Sequence, residues 1–319
     1  MSVKSNNFGL IGVAGYIAVR HLEAIKKTGN TLLASLDPFD SVGIIDRYFP
    51  DSDFFVEFER FDRHFEMLKR SGIKVDYVSI CSPNFLHDSH IRFALRHQAD
   101  AICEKPIVLN PWNIEALQEI EKETGKKVYT VLQLRLHPSV IALREKIINE
   151  KSNSKHDVDL TYITSRGNWY KFSWKGDIHK SGGVATNIGI HFFDMLSWVF
   201  GAVQNNHVHL LEEDKAAGYL ELENARVRWF LSIDYNDLPE EIKKKGQRTY
   251  RSILIEDNQI EFSGGFTDLH TETYKHILGG KGYGLDDAIN SVQTVYEIRN
   301  SKSATRQGDI HPFAYKIIK

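Results

Sequence analysis

Cysteine is nearly absent from the 319-residue chain: Cys81 and Cys103 are the only two, each inside an apolar run with no C-x-x-C pair or Cys/His ladder around it. That argues against a disulfide-stapled scaffold or a thiolate metal centre and leaves two buried thiols of a reducing compartment. An excess of charge is missing too, because 40 basic residues face 42 acidic ones for a net charge of -2. A nucleic acid therefore finds no field to bind to, whereas a small phosphate-bearing ligand needs none. No apolar run reaches the eighteen residues of a spanning helix, nothing repeats, and no segment is of low complexity. The apolar stretch at 8–19 follows Lys4 in the manner of a secretory signal, but it runs into Arg20, His21 and Glu23 without a small-residue cleavage site. The expected location is the cytoplasm, with neither membrane nor nucleic acid as partner.

What the chain does have is alternation. Up to about residue 136, strand-like runs such as "NFGLIGV", "NTLLASLD", "VDYVSICS", "DAICEK" and "KKVYTVLQL" are separated by amphipathic stretches. These are "AVRHLEAIKKTG", "FERFDRHFEMLKRSG", "DSHIRFALRHQ" and "NPWNIEALQEIEKETG", the last with Asn110 at the cap and Pro111 at the first helical position. Strands alternating with helices predict a doubly wound parallel sheet with both faces covered, since parallel neighbours need a crossover between them. The pattern changes after the helix "HPSVIALREKIINEK" and a polar linker at 152–156. Runs at 157–165, 206–211, 217–222, 225–235, 250–256 and 259–263 are joined by short polar turns, as in an open, mostly antiparallel sheet. In 225–235, Val227, Trp229, Leu231 and Ile233 share one face, opposite Arg226, Arg228, Ser232 and Asp234, which predicts a half-solvated strand. The expected division is an α/β dinucleotide-binding domain at 1–136 and an α+β domain at 137–319, with helices at 189–200 and 285–300 on one face of the second sheet.

Gly12, Gly15 and Ala18 form G-x-x-G-x-x-A where the first strand meets the first helix. Glycine there lets the backbone approach a pyrophosphate, which meets the free N–H groups and positive dipole end of the helix. Ala14 stands where the commoner spacing has a second glycine. Asp37 ends the second strand, twenty-five residues after Gly12; its carboxylate suits ribose hydroxyls and repels a 2′-phosphate, so NAD is expected rather than NADP. A turn cap ahead of Pro38 is the alternative for Asp37.

"SICSPNFLH" (79–87) and "ICEKP" (102–106) end later strands, where ligands of doubly wound sheets bind. With the glycine turn and "GGVATNIGIHFFD" (182–194), they make the chain resemble the Gfo/Idh/MocA oxidoreductase family over nearly its whole length. The resemblance implies a Rossmann domain coupled to an open-sheet domain, and carries two site residues over to Lys105 and His191. Where the family usually has an aspartate four residues before the histidine, this chain has Asn187, so His191 is expected to be less basic than in relatives with the aspartate. Either His191 or Lys105 is then suited to take the proton of a substrate hydroxyl, and an ion pair with Glu104 is the alternative role for Lys105. Asn187 and His191, four apart, are expected on one face of one helix.

The stretches "LIGVAGYIAVRH", "DSVGIIDRYFPD", "YVSICSPNFLH", "TYITSRGNWY" and "SWKGD" are similar to those members of the family that oxidise the C3 hydroxyl of a UDP-linked N-acetylamino uronic acid in bacterial lipopolysaccharide and O-antigen synthesis. That similarity implies tightly held NAD, 2-oxoglutarate as the acceptor that reoxidises NADH, and a homotetramer built through the second-domain sheets. The cofactor is expected along Gly12, Ala14, Gly15, Tyr16, Ile17, Asp37, Ser82, Pro83, Asn84, His87, Glu104, Lys105, Gln133, Trp174 and Lys175. The sugar acid and diphosphate call for planar two-pronged donors, and Arg166, Asn168, Arg248, Tyr250 and Arg251 are the candidates beside Lys105, Asn187 and His191. No metal is expected: His207 and His209 alternate on one strand without a third ligand at useful spacing.

Overall fold

In the computed structural model, residues 5–150, 154–256, 258–259, 268–301 and 307–318 are described. The first half alternates as expected: β1 (Asn7–Ile11), α1 (Ala18–Lys27), β2 (Thr31–Leu36), α2 (Ile44–Tyr48), β3 (Asp53–Phe55), α3 (Phe58–Arg70), β4 (Tyr77–Ile80), α4 (His87–Arg96), β5 (Asp100–Cys103), α5 (Pro111–Thr124) and β6 (Val128–Thr130). The six strands pair in the order β3-β2-β1-β4-β5-β6, all parallel. Strand order reverses between β1 and β4, and the carboxyl ends of those strands are where an open α/β sheet leaves a crevice. The sequence gives no periodic signal for α2 and β3, which at five and three residues are too short to carry one. α5 begins with Pro111 at its first position and closes on Gly125 at φ 68°, a left-handed residue that costs glycine little.

The second half runs α6 (Pro138–Asn149), β7 (His156–Thr164), the single turns α7 (Trp169–Phe172) and α8 (Ile178–Ser181), a π-helical turn at Ala185–Gly189 and α9 (Ile190–Phe200). Then come β8 (Val203–Leu211), β9 (Lys215–Leu222), β10 (Ala225–Ser232), α10 (Glu240–Lys244), β11 (Thr249–Ile255), β12 (Asn258–Gln259), α11 (Leu269–Leu278), α12 (Leu285–Arg299) and α13 (Pro312–Tyr315). The second sheet has the order β12-β11-β7-β10-β9-β8 and is antiparallel except for the parallel pair β7 and β10. Residues 260–263 of the expected strand at 259–263, and 152–153 of the expected linker, lie outside the described residues.

The chain divides into two compact units, one of residues 1–133 and 268–289, the other of 134–267 and 290–319. This differs from a single cut at 136: α11 returns to the first unit, and the boundary at 289/290 falls inside α12. The reason is burial. Tyr274 and Ile277 on α11 join Leu22, Ala24 and Ile25 of α1 and Phe8 and Leu10 of β1 in one apolar cluster, and each fully buried large side chain contributes about 1.5–3 kcal/mol.

In the second unit α9 and the π turn cover one sheet face. Phe193 meets Trp229 edge to face at 5.3 Å, and a Cβ on Gly189 would lie 2.6 Å from Leu231 Cδ1. The opposite face is polar only at its start, where Arg226 and Arg228 pair with Asp157 and Asp159 of β7 in register. The expected half-solvated strand is corrected further along, since Phe230 and Ser232 are fully buried. Residues 307–318 account for it: Phe313 and His311 stack near Phe230, at 5.5 and 5.8 Å, with Ala314 in the same cluster.

Candidate functional site

Gly12 follows β1 at φ 88°, and its N–H donates to Leu36 O at 2.7 Å. A Cβ there would stand 2.7 Å from the Cys81 carbonyl and the Ser82 nitrogen, so only glycine lets this turn lie against the end of β4. Gly15 donates to Gly12 O at 3.1 Å, and its own Cβ would come 3.0 Å from that oxygen. Ile17 occupies the N-cap of α1 and offers no side-chain acceptor, so the helix start has donors to give a phosphate. Tyr16, beside them, is 91% exposed. Asp37 is buried and accepts the Ala14 N–H on Oδ2 (2.9 Å) and the Phe39 N–H on Oδ1 (3.0 Å). The turn-cap role is therefore real, and it also fixes the carboxylate beside the glycine turn. A cradle that a Cβ would fill, an uncapped helix start and an anchored carboxylate fit a dinucleotide of the NAD type.

The loops after β4 and β5 are tied together from inside. His87 Nδ1 lies 2.6 Å from Pro106 O and Nε2 2.8 Å from Ser82 O, while Ser82 Oγ bonds His90 Nδ1 at 2.8 Å. Burial holds His87 below the usual histidine range and drives His90 down to about 4. His87, expected along the cofactor, places its two ring nitrogens at carbonyl oxygens of the frame, and a neutral ring donates to one of them. Gln133 starts a 3-10 turn, Gln133–Leu136, three residues past β6 rather than ending that strand.

Glu104 is turned inward. Its Oε1 meets His21 Nε2 at 3.0 Å and His270 Nε2 at 2.9 Å, and the Lys105 N–H donates to Oε2 at 3.3 Å. Burial opposes its charge, but the two histidine hydrogen bonds outweigh it and hold the carboxyl well below the usual range. His21 is kept below the usual histidine value by burial. Tyr274 Oη bonds both His21 Nδ1 (2.8 Å) and Ser79 Oγ (2.6 Å). Burial pushes the Cys81 and Cys103 thiols well up, as inert buried cysteines require.

In the second unit Asn187 sits in the π turn and donates from Nδ2 to Tyr170 Oη at 2.6 Å. Tyr170 is buried, which raises its pKa. Lys175 Nζ lies 5.2 Å above the Trp169 ring and 5.4 Å above the Trp174 ring, with its pKa lowered by burial and by Arg166. Arg166 and Asn168 are exposed beside them. His191 is partly buried near the start of α9, which the buried pair Arg135–Asp194 (2.7 and 3.0 Å) pins one turn further on. Arg248 donates to Ser165 Oγ at 3.1 Å. Arg251 faces α9, 5.3 Å from the Tyr162 ring and 5.7 Å from that of Phe192. Tyr250 points the other way, into the cluster with Phe313, because neighbours on a strand face opposite sides. It is thereby separated from Arg251. Tyr170, His21, His270 and Tyr274 were not legible as site residues, since their partners lie far off in sequence.

Two family models match the chain: the NAD-binding Rossmann domain of the Gfo/Idh/MocA oxidoreductases over residues 6–132, and the C-terminal alpha/beta domain over 154–242. A crystal structure of the WlbA (WbpB) dehydrogenase from Thermus thermophilus, in complex with NAD and alpha-ketoglutarate, is 53% identical, with a TM-score of 0.93 over 97% of this chain and 99% of that one. The chain belongs to the Gfo/Idh/MocA oxidoreductase family. A second structure of the Thermus enzyme, with NAD and UDP-GlcNAcA, is 52% identical with a TM-score of 0.92 over the same shares. More distant relatives are YteT of Bacillus subtilis, 29% identical over 66% of this chain and 46% of its own length, and glucose-6-phosphate 3-dehydrogenase of the same organism, 23% identical over 89% and 78%.

Proposed function

We propose that the protein is an NAD-dependent dehydrogenase that oxidises the C3 hydroxyl of UDP-N-acetyl-2-amino-2-deoxy-D-glucuronate to the 3-keto sugar, with 2-oxoglutarate taking back the reducing equivalents. The observation that carries this reading is the 53% identity, end to end, with an enzyme crystallised with NAD and alpha-ketoglutarate, and at 52% with NAD and UDP-GlcNAcA. The 3-ketone is a substrate for an aminotransferase, which fits lipopolysaccharide sugar synthesis in the cytoplasm, and the working form is a homotetramer.

The cofactor accepts hydride when bound; the chain supplies the rest. Gly12 and Gly15 let the backbone close on the pyrophosphate, the start of α1 offers N–H donors, and Asp37 takes the ribose hydroxyls. Loss of hydride makes the sugar hydroxyl acidic, and Lys105 Nζ accepts its proton while His191 donates a hydrogen bond to the oxygen. Arg166 and Lys175, with Trp169 and Trp174 against the lysine, form the cationic end for the uronate and diphosphate. The deciding experiment follows absorbance at the NADH band after UDP-GlcNAcA is mixed with the protein, with and without 2-oxoglutarate. A rise that decays only when 2-oxoglutarate is present is expected. No rise in a protein shown to hold NAD would reject this substrate.

A further inference from the structure

The residue before Lys105 is the hub of a buried hydrogen-bond chain that the mechanism above does not use. His21 from α1 and His270 from α11 converge on one oxygen, Glu104 Oε1, while the Lys105 N–H reaches the other. Tyr274, one turn beyond His270, links His21 to Ser79 of β4. An ionised carboxylate is acceptor only, so both Nε2 atoms carry protons. His21 Nδ1 then accepts a hydrogen bond from the Tyr274 hydroxyl, and Tyr274 Oη accepts in turn from the Ser79 hydroxyl. Each of these hydrogen bonds has one donor and one acceptor in this arrangement, and it leaves one buried negative charge on Glu104.

We propose that Glu104 is a positioning residue for Lys105, held as a fixed buried anion by His21 and His270. The proposal rests on the reading in which Lys105 takes the hydroxyl proton. A buried anion persists only when its oxygens are occupied by donors, and here three N–H groups from three segments of chain do that. The tie to the Lys105 N–H sets the backbone from which the ammonium group extends. The charge acts on that group directly, because an anion nearby in a dry site raises an ammonium's proton affinity. Of the other titratable groups facing Glu104, burial keeps Cys81, Cys103 and Tyr274 protonated and lowers the proton affinity of His87. His21, Glu104 and His270, with ligand atoms within 4.8 Å of one another, also have the composition of a divalent-metal site. Their separations of 2.9 and 3.0 Å are hydrogen-bond lengths, and a metal would have to displace both Nε2 protons.

The test uses the full-length NAD-bound protein and its single-turnover rate of NADH formation at saturating UDP-GlcNAcA across pH, for Glu104→Gln, His270→Gln, His270→Phe and Lys105→Met. Glu104→Gln is expected to slow turnover about 10-fold or more and to move the acidic limb of the profile down by about one pH unit. Half-saturation by the sugar should stay within about twofold, since the Glu104 oxygens are taken by His21, His270 and the Lys105 N–H. His270→Gln keeps a nitrogen where Nε2 was and retains the wild-type limb, whereas His270→Phe moves it in the direction of Glu104→Gln. That pair decides the matter if Glu104→Gln does not fold. An unmoved limb in Glu104→Gln or His270→Phe, with Lys105→Met inactive, overturns this proposal alone. Wild-type turnover by Lys105→Met overturns the assignment of the base and the proposal with it. Stoichiometric zinc in the purified protein, lost with His270→Phe, would replace the anion with a metal centre.

Discussion

Replacing Asp37 with alanine separates two things that its carboxylate does. The folded chain loses two hydrogen bonds, from Ala14 N–H at 2.9 Å and Phe39 N–H at 3.0 Å. Hydrogen bonds to a charged group contribute about 1.5–3 kcal/mol each. Phe39 is 72% exposed, so its N–H regains water and most of that loss is recovered. The Ala14 donor, at the partly buried glycine turn, bears the larger share, and the expected loss of stability is about 2 kcal/mol. That lowers the melting midpoint by about 4–8 °C. Binding changes separately. Two ribose hydroxyls lose an anionic acceptor, which should weaken NAD by about 30-fold to 100-fold, at 1.4 kcal/mol per tenfold. NADP loses a repelling charge instead, so the preference for NAD should collapse to within about tenfold. Asp37→Asn is the control. It keeps one acceptor but turns an amide N–H toward a backbone N–H, so stability falls as in the alanine variant while the repulsion of a 2′-phosphate disappears. Both dissociation constants are read by titrating the stripped protein, beside a thermal melt. A lowered midpoint with an unchanged NAD-to-NADP ratio would refute the ribose assignment and leave Asp37 a turn cap only.

Two further outcomes follow from the geometry. Gly12→Ala forces a Cβ to within 2.7 Å of the Cys81 carbonyl at a backbone angle of φ 88°, so NAD affinity should fall by about 100-fold or more; titration showing wild-type affinity would mean that the turn does not approach the cofactor. His311 is buried, with its pKa pushed down to about 3, and its Nδ1 accepts the Phe313 N–H. The unfolded chain binds that proton near pH 6.5 and the folded chain does not, so stability is lost as pH falls from about 6.5 toward 3. The loss at pH 4 is roughly 3 kcal/mol relative to pH 7. In His311→Gln the difference between pH 7 and pH 4, measured by denaturant unfolding, should shrink by that order, and an unchanged difference would locate the acid sensitivity elsewhere.

The sequence by itself determined the parts that local pattern can carry. Apolar runs alternating with amphipathic stretches dictate a parallel sheet, Gly12 before α1 dictates a turn that only glycine can make, and Asp37 directly follows β2. "EKP" and "GGVATNIGIHFFD" mark where the residues proposed for the chemistry, Lys105 and His191, stand in each half. Periodicity does not report which distant segments meet. Glu104 and His270 are 166 residues apart, His21 and Tyr274 are 253, and nothing along the chain shows α11 packing on α1 to bury them. In the same way Phe230 reads as the odd residue on a polar face until residues 307–318 cover it, and the hydrogen bond from Asn187 Nδ2 to Tyr170 Oη, seventeen residues away, leaves no mark in the sequence pattern. A strand's two faces are written in its alternation, but whether each face meets water or another segment depends on where the rest of the chain goes, and that is settled by burial across the whole fold.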